Sequence, residues 1–230
     1  MEPLPEDILL KWEGTLSRSE KDRYLNFKSS RRKYSFLYGR ILARHMLNEH
    51  FELESSEWQI SAEGQNFVLN SPDIISINIS HSKDYVACGL SSLDIGVDIE
   101  QLNPERSFMK IAENYFVTSE YETIKAMPDD KRMYAFYLSW VIKEAYAKRH
   151  GKSVFDGLSR VKLAIEDNDT HQGFPSVALP NCFGGGYYSN YDNYVVAISL
   201  KEDITLCGHV LKLNGDDLVY DRELVVQKIG

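Results

Sequence analysis

The sequence predicts an α+β protein of two similar halves in a pseudo-twofold arrangement, each with helices packed on a small antiparallel sheet. Three observations predict it. Helical periodicity fills residues 31–50 and again 129–150, runs of short strand candidates follow each stretch, and Asn103-Pro104 punctuates the chain between them. The order helices-then-strands therefore occurs twice. It divides the chain into an N-terminal half, 1–103, with a basic helix and a strand meander, and a C-terminal half, 104–230, although no residue-level repeat runs at a fixed period.

Each element follows from its local pattern. A short amphipathic helix is expected from Ser17 or Ser19, where Ser19 and Asp22 offer a capping pair ahead of Tyr24, Leu25 and Phe27. From Arg31 to His50, Phe36, Leu37, Ile41, Leu42, Met46 and Leu47 recur at helical spacing, with Arg32, Arg40 and Arg44 between them. The period then changes to that of strands. Gln59-Ile60, Phe67 to Leu69, Ile74 to Ser80, Tyr85 to Leu90 and Ile95 to Ile99 read as an antiparallel meander. Beyond Pro104, helices are expected over Phe108 to Phe116, from a Ser119/Glu122 cap, and from Asp129 to His150 with Gly151 as the stop. Strands return at Val161 to Ile165, Val195 to Leu200, Ile204 to Leu206 and Val210 to Leu213, the last before an Asn214-Gly215 turn. Gly184-Gly185-Gly186 reads as a flexible hairpin.

Charge and composition exclude several classes. The 26 Lys+Arg against 34 Asp+Glu leave a net charge of −8, so no global field draws the chain to nucleic acid or to an anionic membrane. Any anion it binds needs a local positive patch. Three cysteines, Cys88, Cys182 and Cys207, form no CxxC pair and have no histidine at zinc spacing, which argues against a disulfide scaffold or zinc module. The start carries Glu2, Glu6 and Asp7 in place of a basic leader, and no apolar run reaches bilayer length. The expectation is a soluble, cytoplasmic protein.

Four segments can carry chemistry. In Gly96-Val97-Asp98-Ile99-Glu100, strand alternation puts Asp98 and Glu100 on one face. Two carboxylates held close repel each other, and a shared hard cation such as Mg²⁺ relieves that repulsion, whereas a solvent-facing strand needs none. Trp140, Glu144 and Lys148 lie four apart on one helical stripe, which by itself is also the pattern of a surface Glu-to-Lys pair. Asn78-Ile79-Ser80-His81-Ser82 clusters polar groups where a buried strand meets its turn. Arg31-Arg32-Lys33 opens the first long helix, where backbone N–H groups would add to the side-chain charges; three adjacent bases also form ordinary solvated faces.

Together, in order and spacing, the segments Asn78 to Ser82, Gly96 to Glu100, and Trp140 through Lys148 with Gly151-Lys152 resemble the 4′-phosphopantetheinyl transferases, in their larger, surfactin-synthetase-activating type. Arg31-Arg32-Lys33 through Gly39-Arg40 is similar to that family's basic helix, and Asn114-Tyr115-Phe116 with Glu120 to its segment after the strand; little aligns after about Gly157. The resemblance implies transfer of the phosphopantetheine arm of coenzyme A to a serine of an apo acyl or peptidyl carrier protein, with release of adenosine 3′,5′-bisphosphate. It implies Asp98, Glu100 and Glu144 as Mg²⁺ ligands, Lys148 at the pyrophosphate with Lys143 assisting, and His81 beside Ser80 at the 3′-phosphate of coenzyme A. Arg31, Arg32 and Arg40 are then candidates for its nucleotide end. The serine proton would pass to Glu144 or to a water on the metal, both of which stay open. The family commonly has Gly-Lys-Pro where this chain reads Gly64-Gln65-Asn66, and a second glycine where it has Ser153. A basic face of Lys110, Lys125, Lys131 and Arg132, with Phe108, Met109 and Met127, would meet the acidic carrier. Two halves in one chain suggest a monomer. The rival readings are a Mg²⁺-dependent nuclease, whose basic track is missing, and a non-catalytic module binding coenzyme A or the carrier, which would not demand a complete metal site.

Overall fold

The computed structural model describes residues 5–51, 60–63, 66–69, 75–152, 161–166, 176–178, 184–203, 205–214, 217–223 and 227–229. Helices α1 (Glu6–Gly14), α2 (Arg18–Asn26) and α3 (Ser30–Phe51) precede β1 (Ile60–Glu63), β2 (Asn66–Leu69), β3 (Ser76–Ser82), β4 (Tyr85–Ser91) and β5 (Ile95–Gln101). Helices α4 (Phe108–Tyr115), α5 (Thr118–Ala126) and α6 (Asp129–Arg149) then precede β6 (Ala164–Glu166), β7 (Ser176–Ala178), β8 (Gly185–Tyr191) and β9 (Tyr194–Leu200). A hairpin of β10 (His209–Asn214) and β11 (Asp217–Glu223) and the short β12 (Gln227–Lys228) close the chain. The expected α+β class with two helix-and-sheet halves is what forms.

The two halves are built alike down to individual residues. In each, a short helix carries a buried glutamate at its third position that accepts the N-cap backbone N–H, Glu20 from Ser17 and Glu120 from Val117. Each glutamate also grips a cation of the following long helix. Glu20 pairs with Arg40 at 2.7 Å and Arg44 at 2.6 Å, and Glu120 pairs with Lys143 at 2.6 Å. A buried carboxylate is tolerated only with such partners, so these pairs fix the helix starts at Ser17 and Val117 and displace the expected Ser19/Asp22 and Ser119/Glu122 caps. Each half then has a short hairpin, β1-β2 or β6-β7, and a long one, β3-β4 or β8-β9. Both long hairpins turn through a residue with positive φ, Lys83 at 50° and Asp192 at 52°.

The sheets have the strand orders β1-β2-β3-β4 and β12-β8-β9-β5, so β5 does not continue the expected meander. It leaves β4 and pairs antiparallel with β9 from Ile95↔Leu200 to Gln101↔Tyr194. Hence β5, N-terminal to the expected boundary at 103/104, hydrogen-bonds in the sheet of the second half. Its other edge meets side chains of β3 instead of a backbone ladder. Ser76 accepts the Ile95 N–H at 3.4 Å, Asn78 the Val97 N–H at 2.9 Å and Ser82 the Gln101 N–H at 3.1 Å. The alternating polar residues of β3 thus satisfy buried donors that would otherwise be orphaned.

Helix α3 packs on β3 and β4, and α6 packs on β5 and β9. The main core lies around α6, where Phe136, Tyr137, Leu138, Val141 and Ile142 meet Phe116, Ile124, Leu163 and Val195. Met127, expected at a carrier-facing surface, is buried in this core, and Phe108 packs against it at Phe136. Gly184-Gly185-Gly186 is not a flexible hairpin: Gly185 and Gly186 pair with Leu200 and Ser199, and Gly184 has a φ of +82° that favours glycine. Thr205 and Leu206 lie outside any strand, while the hairpin expected around Asn214-Gly215 forms as β10-β11; Gly64-Gln65, Ser153 and Gly215 lie outside the described residues. Among the described residues no helix is long and apolar enough to cross a membrane.

Candidate active site

The seam between the halves gathers the charged groups. Asp98 and Glu100 point from one face of β5 toward β3, as the alternation requires, while Val97 and Ile99 enter apolar clusters. Helix α6 supplies Glu144 and, one turn on, Lys148. It reaches β5 because Gly96 lets the two backbones touch. A Cβ there would overlap the Ala145 carbonyl oxygen and stand 2.6 Å from the Arg149 nitrogen. The absence of that one carbon sets how closely Lys148 approaches Asp98.

Lys148 spends all three ammonium donors within the site. It donates to Asp98 Oδ1 at 2.7 Å, Ser80 Oγ at 2.8 Å and the Val97 carbonyl at 3.1 Å. Ser80 donates in turn to the same Asp98 Oδ1 at 2.8 Å. Asp98 is buried, and its other oxygen, Oδ2, has no hydrogen-bond partner. Glu100 is engaged on both oxygens, accepting from Ser82 at 2.9 Å and facing Arg106 at 3.6 Å. Glu144 is buried, and its carboxyl is pushed up to about 8, first by burial and then by the charge of Asp98, with Lys148 opposing. Burial and Asp98 raise Glu100 as well, against Ser82, Arg106 and Lys148.

The three carboxylates are therefore electrostatic neighbours, not a finished cage. Among the described residues no three His, Cys, Asp or Glu side chains stand close enough to hold an ion as they are. The donor set still fits a hard divalent cation: a buried carboxylate oxygen is orphaned, and Glu100 and Glu144 are both raised by burial and by the negative charge of Asp98, so the cluster lacks positive charge.

Other expected site residues fall in two groups. His81 stands beside the cluster with much of its surface open to solvent, and its ring is held below the usual imidazole range by the part that is desolvated against the protein and then by the charges of Lys148 and Arg31. Arg31 and Arg32 are exposed on the first turn of α3, Arg31 within electrostatic reach of His81. Arg40 and Lys143 are instead structural. Arg40 is buried against Glu20 with its guanidinium over Phe36 at 4.4 Å. Lys143 is fully buried against Glu120, 4.8 Å from the Phe116 ring, one residue around α6 from Glu144 and so on another side of the helix. Two contacts escaped sequence reasoning. Ser82 was visible only as part of a polar cluster, and Arg106 stood in an unremarked turn; nothing in its neighbours' spacing ties it to Glu100.

Comparison with known proteins gives this site a class. A profile described as the 4′-phosphopantetheinyl transferase superfamily matches residues 94–199, the stretch from just before β5 to the end of β9. The chain is a transferase of the phosphopantetheinyl class. It is 27% identical over 216 residues to the 4′-phosphopantetheinyl transferase Sfp of Bacillus subtilis, covering 84% of this chain and 93% of that protein. It is 28% identical to the transferase HetI of a Nostoc species over 70% of each chain, and 32% identical to the transferase gsp of Aneurinibacillus migulanus over 58% of this chain and 54% of that one. The proteins that this chain is similar to are thus 4′-phosphopantetheinyl transferases, the larger, Sfp-like type among them.

Proposed function

We propose that this enzyme transfers the phosphopantetheine arm of coenzyme A to a serine of an apo acyl or peptidyl carrier protein, with Mg²⁺, and releases adenosine 3′,5′-bisphosphate. The observation that carries the metal-dependent site is the buried Asp98 with one oxygen held by Lys148 and Ser80 and the other unpartnered. Asp98, Glu100 and Glu144 would hold Mg²⁺, which when bound supplies Lewis-acid stabilisation of charge on the diphosphate.

The chain's own residues divide the remaining work. Lys148, already anchored on Asp98, exchanges its contact with the Val97 carbonyl for a diphosphate oxygen and acts as a point charge there. His81 and Arg31 receive the 3′-phosphate of coenzyme A at the exposed edge of the seam, with Arg32 on the same helical turn nearer solvent. Glu144 takes the serine proton. Its place beside Asp98, one turn from Lys148, puts it where the incoming serine would meet the diphosphate, and the carboxylate form that would hold the cation is also the form that can accept a proton. The free thiols of Cys88 and Cys207 suit a reducing cytoplasm, and both walls of the seam come from one polypeptide, as a working monomer requires.

The test incubates the purified protein with coenzyme A, Mg²⁺ and an apo carrier protein, and reads the intact mass of the carrier. One added phosphopantetheine per carrier, lost in Asp98→Ala, is the expected result. An unmodified carrier, or transfer undiminished in Asp98→Ala, overturns the assignment.

A further inference from the structure

Arg106 stands at the mouth of the carboxylate site with nothing yet assigned to it. Its Nη1 lies 3.6 Å from Glu100 Oε1, and its guanidinium lies over the rings of Trp140, at 5.1 Å, and Tyr137, at 6.0 Å. Both side chains of the ion pair are partly solvent-accessible, at 32% and 27%, so this contact is the exchangeable one. The other oxygen of Glu100 is held by Ser82 on the inner side. The positive field of Arg106 also reaches Glu144.

We infer that Arg106 is a resident counter-ion of the site, which a divalent cation displaces from Glu100 Oε1 while Ser82 keeps Glu100 Oε2. The inference rests on the divalent-ion reading of the site and adds what the ion must remove. It accounts for two observations together. The carboxylates are neighbours without forming a cage, because Glu100 is turned to Arg106 and Asp98 to Lys148. Arg106 is also seated on aromatic faces, which attract a guanidinium but hold it less firmly than a buried ion pair would, so it has somewhere to remain when Glu100 lets go. The geometry gives the displacement an optical signal, because the ring beneath the guanidinium is an indole.

The experiment measures metal binding without coenzyme A or carrier. Mn²⁺ occupancy is followed by the loss of free-ion signal in electron paramagnetic resonance, and Trp140 emission is followed in a Trp12→Phe, Trp58→Phe background during Mg²⁺ titration. Metal binding is expected to change Trp140 emission in the otherwise unaltered protein. Arg106→Gln should abolish that change and bind Mn²⁺ up to about five-fold more tightly, the ceiling for a partly exposed ion pair. In a Glu100→Gln background the Arg106→Gln effect on Mn²⁺ should vanish, which separates displacement from a general loss of positive field. Equal or weaker Mn²⁺ binding by Arg106→Gln, or an emission change that survives the substitution, overturns the inference and leaves the metal site standing. Failure of the unsubstituted protein to bind Mn²⁺ overturns both. The Mn²⁺ measurement needs no tryptophan replacement, so it stands even if the single-tryptophan protein folds poorly.

Discussion

Gly96→Ala is the sharpest test of how the site is assembled. The added methyl would overlap the Ala145 carbonyl and stand 2.6 Å from the Arg149 nitrogen and 3.0 Å from the Ala145 carbonyl carbon. These are backbone atoms in the last turns of α6 and cannot rotate away, so the helix must lift from β5 by roughly 1 Å to restore van der Waals contact. Such overpacking costs about 1–3 kcal/mol, which for a chain of this size lowers the melting temperature by roughly 2–12 °C. The same lift breaks the 2.7 Å contact of Lys148 with Asp98 and carries Glu144 away from β5. A misplacement of about 1 Å costs roughly 10²-fold in rate. Carrier modification followed by mass spectrometry and thermal melting of the same preparation give both numbers. Gly39→Ala is the comparison, because its Cβ would press at 2.9 Å on the Ile79 side chain and not on backbone, so it can cost stability without lifting α6 from β5. A Gly96→Ala enzyme that melts as the unaltered protein does and keeps more than about a third of its rate would refute the close approach as the device that sets the site.

The other predictions concern charge. Lys143→Met should leave Glu120 buried and unpaired, at a cost of about 3–5 kcal/mol in denaturant unfolding, while the surviving folded enzyme keeps its KM for coenzyme A; a raised KM would return Lys143 to the binding site. His81→Ala should raise KM for coenzyme A but not for 3′-dephospho-coenzyme A, and equal effects on both would remove it from the 3′-phosphate. For Glu144 the pKa is about 8 in the folded protein against 4.5 for a free glutamate. The folded state therefore binds the extra proton between these values, and metal-free stability falls as pH rises through that window. Denaturant unfolding of the metal-free protein at pH 5 and pH 9 should show a smaller difference in Glu144→Gln, and an unchanged difference would place the carboxyl in ordinary water.

Much of the fold was legible because its long elements declare themselves locally. The run that became α3 shows a buried stripe of Leu37, Ile41, Arg44 and Leu47, and those that became α6 and β9 show long, nearly continuous buried stretches, patterns that local spacing and composition can reveal. The helix α1 was missed because Glu6–Gly14 buries no residue completely and so writes only a weak stripe, with Leu9 and Trp12 partly covered. The crossing of β5 was not legible at all. Local pattern says that Ile95 to Ile99 is a strand, but its partner, β9, begins about a hundred residues later, and nothing in either strand names the other. The same distance explains the site residues. Asp98, Glu100, Glu144 and Lys148 stood out through resemblance and spacing, and the fold does bring them to one seam. Arg40 and Lys143 lie against buried glutamates, a placement the sequence did not reveal because a basic residue looks the same whether it faces a phosphate or a buried glutamate. Glu20 and Glu120 decide which, and they lie 20 or more residues away.

The near-symmetry of the halves makes the asymmetry of the site informative. Both halves have the buried glutamate, the cation on the long helix and the hairpin with a positive φ at its turn. Duplicated scaffolding alone would give two equivalent surfaces. The strand that follows the first long hairpin breaks the equivalence by crossing to β9 and presenting its polar edge to β3. That crossing places Asp98 and Glu100 between the serines of one half and the Glu144–Lys148 turn of the other. The site thus exists only while the halves are held together, and Ser76, Asn78 and Ser82 hold them through the same hydrogen bonds that orient β5. Asn78→Ala follows as a case where stability and catalysis should fall together. It strips the acceptor from the buried Val97 N–H, a loss of about 1–3 kcal/mol, and loosens the backbone immediately before Asp98. Unfolding free energy and transfer rate measured on the same variant should both drop, and a variant that loses one without the other would show that the seam and the site are separable.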